Sequence, residues 1–276
     1  MPAFENAYNI LNYHEYGGGN ELLLAFHGFG MTGTQFRVLE RAFGKKYTIV
    51  SFDLFFHGNT ILKEDSVKTI RKGLQPAAFA EQIDAFMKER YPHVDKFSLL
   101  SYSMGTRMAL CLIQDMPQRI ANTYLIAPDG IEPNRLLAIG GTHYLVNRIF
   151  HQLVYSPRLV NGILLGMYKL GYIDDALLRI LRGEFATTED RLNSYKTITY
   201  YGSVVFDRKA LATAINKHGI VCHLYFGMKD KLFPATIGER FAALLEHGKI
   251  HVFDDGHELV DERMNTYIER QLEQYD

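Results

Sequence analysis

The sequence predicts an α/β protein: a mostly parallel sheet with helices on both faces and a helical block inserted late in the chain. Three observations carry this. Short apolar, β-prone runs alternate with stretches of helical periodicity up to about residue 127, and again from about residue 207 to the end, which is the pattern of βαβ units. Between them, residues 131–205 hold apolar residues at helical spacing and no convincing strand. The reactive residue types stand at the ends of the apolar runs, where sheets of this kind place their sites.

The 276 residues suffice for one large domain with an insertion. Hydrophobic residues make up 47 %, so a sizeable core can form. Lys plus Arg is 30 and Asp plus Glu is 31, with no long single-sign block, which argues against nucleic-acid binding and against a polybasic membrane patch. The two cysteines, Cys111 and Cys222, lie in apolar patterns and imply no disulfide framework. Met1 to Asn6 has neither a basic start nor an apolar segment, and no uncharged run reaches the ~18 residues that span a bilayer. The expectation is a cytoplasmic protein with no membrane span; oligomeric state is left open.

In chain order, Tyr8 to Tyr16 reads as a strand, Gly17 to Asn20 as a flexible turn, and Glu21 to Phe26 as a second strand, the pair forming a hairpin. A helix is expected over 33–44, with Phe36, Leu39, Ala42 and Phe43 on one face. Tyr47 to Leu54 is a strand. Residues 59–74 are polar and mixed, a loop with room for a short helix. Pro76 opens a helix to about Arg90, its fixed φ suiting the first turn. Lys96 to Leu100 is a strand, followed after one abrupt turn by a helix carrying Met104, Met108 and Leu112. Asn122 to Ala127 is a further strand.

The periodic residues of 131–205 include Leu136, Leu137, Ile139, Leu145, Ile149, Leu153, Leu159, Ile163, Leu164, Met167, Leu177, Leu178 and Leu181. They predict three to five helices, suited to a lid over a pocket or to a dimerisation surface. A helix over 207–217, a strand from Val221 to Phe226, a helix over 235–246, a strand from Ile250 to Phe253 and a last helix complete the chain.

The chain is organised around Ser101-Tyr102-Ser103-Met104-Gly105. Strand, turn and helix there would lift the Ser103 hydroxyl clear of the sheet and set helix-start amides beneath it. Asp230 and His257 follow later strands, so the order is Ser, Asp, His. The chemistry requires these types. A serine hydroxyl is a poor nucleophile until an imidazole takes its proton, and a carboxylate must hold the other ring N–H and stabilise the cation that forms. Asp129 also ends a strand and is a reserve for the acid.

His27-Gly28-Phe29-Gly30 lets backbone approach a substrate, so His27, Gly28 and Gly30 are expected beside it. The amides of Phe29 and Met104 are the expected donors to a developing oxyanion. His57 is expected to pin its own loop. His143, His151, His223 and His251 lack partners at metal-ligand spacing, so no metal or other cofactor is expected. Asp254 and Asp255 are expected to shape the His257 loop.

These residues resemble the α/β-hydrolase superfamily over almost the whole chain: His27 to Gly30, Asp53 to Gly58, Ser101 to Gly105, Gly227 to Pro234, and Gly256-His257. The resemblance implies an eight-stranded sheet, a core of residues 1–130 and 206–276, and a helical cap over 131–205. It implies Ser103 as nucleophile, Asp230 as acid, His257 as base, and Phe29 and Met104 at the oxyanion. Three positions depart from the usual pattern: Ser101 and Thr106 replace elbow glycines, and Phe56 replaces the glycine before His57. Ser-Tyr-Ser-Met-Gly followed by Arg107 also looks like the elbow of menaquinone-pathway synthases of this fold, which makes Arg107 a candidate substrate contact. The expected activity is a serine hydrolase on a small or medium acyl substrate, most simply a carboxylic ester. Carbon–carbon bond chemistry and non-catalytic binding of a small ligand are the alternatives.

Overall fold

The computed structural model of the chain describes residues 2–132, 143–173 and 175–272; Leu136, Leu137 and Ile139 lie outside them. The strands are β1 (Ala3–Glu5), β2 (Asn9–Gly17), β3 (Glu21–Phe26), β4 (Tyr47–Phe52), β5 (Ile61–Leu62), β6 (Phe97–Tyr102), β7 (Ile120–Ile126), β8 (Val221–Gly227) and β9 (Gly248–Phe253). They form one sheet in the order β1-β2-β4-β3-β6-β7-β8-β9, with the two-residue β5 paired to β2. From β4 to β9 every pairing is parallel; those of β2 with β1, β4 and β5 are antiparallel. The path therefore holds the eight strands that the resemblance implies, and β5 adds a short ninth.

One expectation is overturned. β2 and β3 are not a hairpin, because β4 lies between them: Ile49 is opposite Tyr16 on one side and Leu23 on the other. The Gly17–Asn20 turn carries the chain past the intervening strand, and Gly18 N–H and Glu21 N–H donate to Gly44 O and Lys46 O at the end of the incoming connection.

The helices are α1 (Glu40–Phe43), α2 (Val67–Lys72), α3 (Pro76–Arg90), α4 (Thr106–Asp115), α5 (Tyr144–Leu153), α6 (Pro157–Lys169), α7 (Asp175–Glu184), α8 (Thr188–Gly202), α9 (Arg208–Lys217), α10 (Ala235–Ala242) and α11 (Glu262–Leu272). The segment expected as a helix over 33–44 begins as a 3₁₀ turn, Gly33–Leu39, capped by Thr32, before α1. The 59–74 stretch holds both β5 and α2. The helix expected over 235–246 stops at Ala242.

Strand residues alternate between two cores, as a sheet covered on both faces requires. Leu22, Leu24 and Phe26 join one core with Phe79 and Ile83 of α3, Met108 and Leu112 of α4, and Phe241 of α10. Leu23 and Ala25 join the other with Phe43 of α1 and Met264, Ile268 and Leu272 of α11.

Helices α5 to α8 stand outside this sandwich, with a small core of their own around Val160, Leu164, Ile173 and Leu178. Two buried polar devices hold them. The Arg191 guanidinium of α8 donates to Val154 O beyond α5, to Phe185 O and Ala186 O beyond α7, and to Thr188 Oγ1. Asn147 of α5 donates to Thr199 Oγ1 and accepts from the Tyr195 hydroxyl. Among the described residues no helix is long and apolar enough to cross a membrane.

At the far edge of the sheet, His223 of β8 and His251 of β9 stack with ring centroids 5.6 Å apart and their Nδ1 and Nε2 atoms 3.3 Å apart. Burial pushes both imidazoles down to about 4, His251 adding to the effect on His223 and Lys249 acting on both. Unfolded imidazoles titrate near 6.5, so between those values the unfolded chain binds more protons than the folded one. Stability is therefore expected to fall as pH drops from about 6.5 towards 4. Denaturant midpoints measured across that window should show a shallower slope for His223→Phe than for wild type; equal slopes would remove the pair from the account.

Candidate active site

The site is built at the carboxyl ends of β3, β6, β8 and β9. β6 ends at Tyr102, and the chain turns through Ser103 at φ 49° into a 3₁₀ turn that continues as α4. Left-handed backbone at a non-glycine residue costs of order 1 kcal/mol and is held here by its surroundings. Gly105 makes the turn possible: a Cβ there would stand 2.0 Å from the carbonyl oxygen of Phe26. The elbow is thus pressed directly onto the end of β3.

The two hydroxyl residues that depart from the family pattern answer one another. Ser101 Oγ and Thr106 Oγ1 are 3.1 Å apart, both buried, so each new hydroxyl satisfies the other beneath the turn.

Ser103 Oγ lies 3.0 Å from His257 Nε2, and His257 Nδ1 lies 2.7 Å from Asp230 Oδ2. An ionised carboxylate only accepts, so Nδ1 carries the proton and donates to Asp230, leaving Nε2 to accept from the serine hydroxyl. The other carboxylate oxygen of Asp230 accepts the amides of Leu232 and Phe233, at 2.8 and 3.1 Å, which fixes its plane. The loops after β8 and β9 are tied together by Met228 N–H to Phe253 O and Lys229 N–H to Asp255 O. A Cβ on Gly227 would meet Gly256 O at 1.9 Å, so the two loop starts touch at backbone level. The Tyr102 hydroxyl donates to His257 O. Asp255 also accepts from Gly256 N–H through its side chain, while Asp254 pairs with Lys229 at the surface.

The loop after β3 faces the elbow. Met31 N–H returns to Gly28 O and Gly30 N–H donates to His57 Nε2 at 3.2 Å, while the Phe29 N–H has no acceptor among the described backbone bonds of that loop. Met104 N–H stands at the start of a helical turn, where amides lack an intrahelical acceptor. His57 does pin a loop, and it pins the Phe29 loop as well as its own: Nδ1 donates to Phe55 O, leaving Nε2 for Gly30.

Three residues expected beside a substrate take other places. His27 is fully buried; it donates through Nδ1 to Gly28 O and accepts Leu54 N–H at Nε2, and burial, with His57 nearby, holds it neutral far below its ordinary range. Gly28 lies under the Tyr102 ring, and Gly30 lies under Glu184 of α7, whose Cγ would be 2.7 Å from an added Cβ. Burial, with Asp190 adding, raises the Glu184 carboxyl above its ordinary range. These three residues hold the loop; Phe29 and Met31 are the ones that reach the cavity.

That cavity, about 410 Å³, lies between the elbow and helices α5 to α8. Ser103, Met104 and His257 form its floor, and Leu153, Val160, Leu164 and Leu181 are among its walls. The Thr197 hydroxyl of α8, on a side chain that borders the cavity, is buried without a hydrogen-bond partner. Arg107 also borders the cavity, but its charge is paired and its guanidinium makes four hydrogen bonds. Nε and Nη2 grip Asp129 at 2.6 and 3.1 Å, and Nη1 donates to Tyr201 O and Val204 O. The same pair accounts for Asp129, the reserve acid, which belongs to Arg107 and not to His257. Among the described residues no cluster of three or more metal-ligating side chains occurs.

Arg191, Thr197 and Glu184 had no signal in the sequence, since each lies on a helix whose orientation periodicity leaves open.

Residues 21–141 match the family model described as the α/β-hydrolase fold. A curated relative, the dihydrolipoyllysine-residue acetyltransferase component of an acetoin cleaving system from Cupriavidus necator, is 29 % identical over 120 residues, which are 44 % of this chain and 30 % of the relative. The chain thus spans under a third of that relative's length. Among solved structures, an esterase from Thermogutta terrifontis superposes with a TM-score of 0.72 over 99 % of both chains at 13 % identity. A meta-cleavage product hydrolase from Pseudomonas fluorescens IP01 superposes with a TM-score of 0.66 over 100 % of this chain and 98 % of that one, at 17 % identity.

The Arg107–Asp129 geometry generates a test of its own. Arg107→Met is expected to lower stability by about 3 kcal/mol or more, the usual cost of stranding one member of a buried ion pair, seen as a lower denaturant midpoint. The folded fraction should keep its KM for an uncharged ester. A raised KM at unchanged stability would make the guanidinium a substrate contact instead.

Proposed function

Starting from a chain with the α/β-hydrolase fold, we propose that it is a serine hydrolase that cleaves a carboxylic ester with a small or medium acyl group through an acyl-enzyme. One observation carries the reading: the continuous hydrogen-bond path from Asp230 through His257 to Ser103 at the floor of an apolar cavity. In this reading Ser103 Oγ attacks the ester carbonyl as His257 Nε2 takes its proton. The amides of Phe29 and Met104 receive the developing oxyanion, each such donor typically supplying about 3–4 kcal/mol of transition-state stabilisation. Collapse expels the alcohol, which takes the proton from His257. Water then gives a proton to His257 as it attacks the acyl carbonyl, and collapse releases the acid while His257 returns that proton to Ser103 Oγ. The reaction as written uses no metal and no organic cofactor.

Helices α5 to α8 serve as the cap. Their apolar walls suit an acyl chain. The carbon–carbon alternative called for a free cation facing the substrate, and the Arg107 charge is already paired with Asp129, with two carbonyls taking Nη1. A receptor without turnover has no use for an imidazole held between a carboxylate and a serine.

Ser103→Ala should fold with an unchanged melting temperature and lose ester turnover by several orders of magnitude. Near-normal turnover in that variant would refute the assignment. A fluorophosphonate probe should label wild type at Ser103, as mapped by peptide mass spectrometry, and a protein left unlabelled alongside a reactive control serine hydrolase would contradict an activated serine. Across p-nitrophenyl esters of rising acyl length, kcat/KM should climb and then fall once the chain outgrows a cavity of about 410 Å³; a flat profile would separate the cavity from specificity.

A further inference from the structure

The outer surface of α5 and α6 is apolar where a solvated helix would be polar. On α5 the buried face holds Asn147, and Phe150 lies half-buried, while Leu145 and Ile149 stand about 60 % exposed one turn apart. On α6 the inward residues are Val160 and Leu164, while Leu159 is 59 % exposed. Tyr144, Tyr155, Leu165 and Leu170 add to the same exposed set. So many exposed apolar side chains on two successive helices mark a contact surface.

Charge decides what the contact is. From residue 133 to residue 173 the chain contains neither Asp nor Glu, against 31 acidic residues in the whole protein. The charged residues of α5 and α6 are Arg148, Arg158 and Lys169, all exposed, and Arg71 of α2 stands 4.4 Å over the Tyr144 ring. A second copy pairing through this face would set those cations against their own equivalents. An acidic lipid surface would instead meet them with anionic headgroups while the leucines and isoleucine enter the headgroup boundary, the behaviour of interfacial amphipathic helices.

The face is also continuous with the cavity. Ile163, half exposed on α6, is one of its lining residues, next to the buried Leu164 and one turn from the buried Val160, which line it too.

We propose that α5 and α6 dock the protein on the surface of an anionic lipid bilayer, with apolar esters dissolved in that surface entering the cavity past Ile163. Docking rests on the outer surface alone; only the fate of the ester at Ser103 rests on the hydrolase reading.

The experiment uses full-length Ser103→Ala protein, so that turnover plays no part, in sedimentation with phosphatidylcholine vesicles with and without phosphatidylglycerol. Binding to the anionic vesicles is expected to be at least about tenfold tighter and to weaken with added salt. Leu145→Asp with Ile149→Asp, and separately Arg148→Glu with Arg158→Glu, should each abolish that preference at an unchanged melting temperature. Both double variants in the wild-type background should keep wild-type kcat/KM on a short water-soluble ester. Equal, weak binding to both kinds of vesicle overturns the proposal. So does a stable dimer in light scattering that the same substitutions dissociate, since the face would then belong to a second copy. Vesicle binding without ester turnover by wild type would keep the docking surface and sink the hydrolase reading, and turnover without vesicle binding would do the reverse.

Discussion

The contact on which the site depends is the one between Gly105 and the end of β3. With no side chain at residue 105, the backbone of the elbow comes down onto the carbonyl oxygen of Phe26. That approach sets two things together. It lifts Ser103 into its left-handed conformation above the sheet, and it brings the start of α4 beside the loop that leaves β3. The Phe29 amide and the Met104 amide follow β3 and β6, which pair as far as Phe26 and Ser101, and the Gly105 contact continues that shared frame beyond the strands. A side chain at residue 105 would part the elbow from the loop and separate the two amides by the same displacement.

Everything else near Ser103 serves to keep loops from drifting. His27 and His57 are both held neutral by burial, and a neutral imidazole donates at one nitrogen and accepts at the other. Each therefore links two backbones: His27 joins Gly28 to Leu54, and His57 joins Phe55 to Gly30. A protonated ring would have two donors and no acceptor, and would lose the amide it now receives. Asp230 and His257 are restrained differently, by strand ends that touch through Gly227 and by cross-loop amide bonds. Preorganisation of this kind is what allows hydrogen bonds to act on a transition state without first paying to arrange themselves.

The three residues that the structure joins by hydrogen bonds at the rim of the sheet were legible in the sequence because each needs only a local signal. Ser103, Asp230 and His257 stand immediately beyond apolar runs, and a parallel sheet brings such ends to one rim. What was not legible depends on partners far along the chain. The Gly17–Asn20 turn reads the same whether β2 and β3 pair with each other or with a strand inserted between them, and β4 made the difference. Ser101 and Thr106 looked like two separate departures from glycine, and their meaning lies in the 3.1 Å between their hydroxyls. Arg107 looked free because Asp129 is 22 residues away and the carbonyls of Tyr201 and Val204 nearly a hundred. A buried guanidinium is recognised only by what surrounds it, and sequence spacing does not contain that.

The two buried arginines also explain how the inserted helices can be firm in one place and open in another. Arg107 fastens the end of α8 to α4, the helix that follows Ser103, and Arg191 gathers the ends of α5 and α7 onto α8. α6 receives neither anchor. It is held through the small apolar core of Val160, Leu164, Ile173 and Leu178, and apolar contacts are non-directional. Such contacts tolerate sliding that a forked guanidinium would forbid. The wall of the cavity bearing Ile163 is therefore carried by apolar packing, while the wall formed by α8, with Thr197 and Tyr201, is tied to α4 through Arg107.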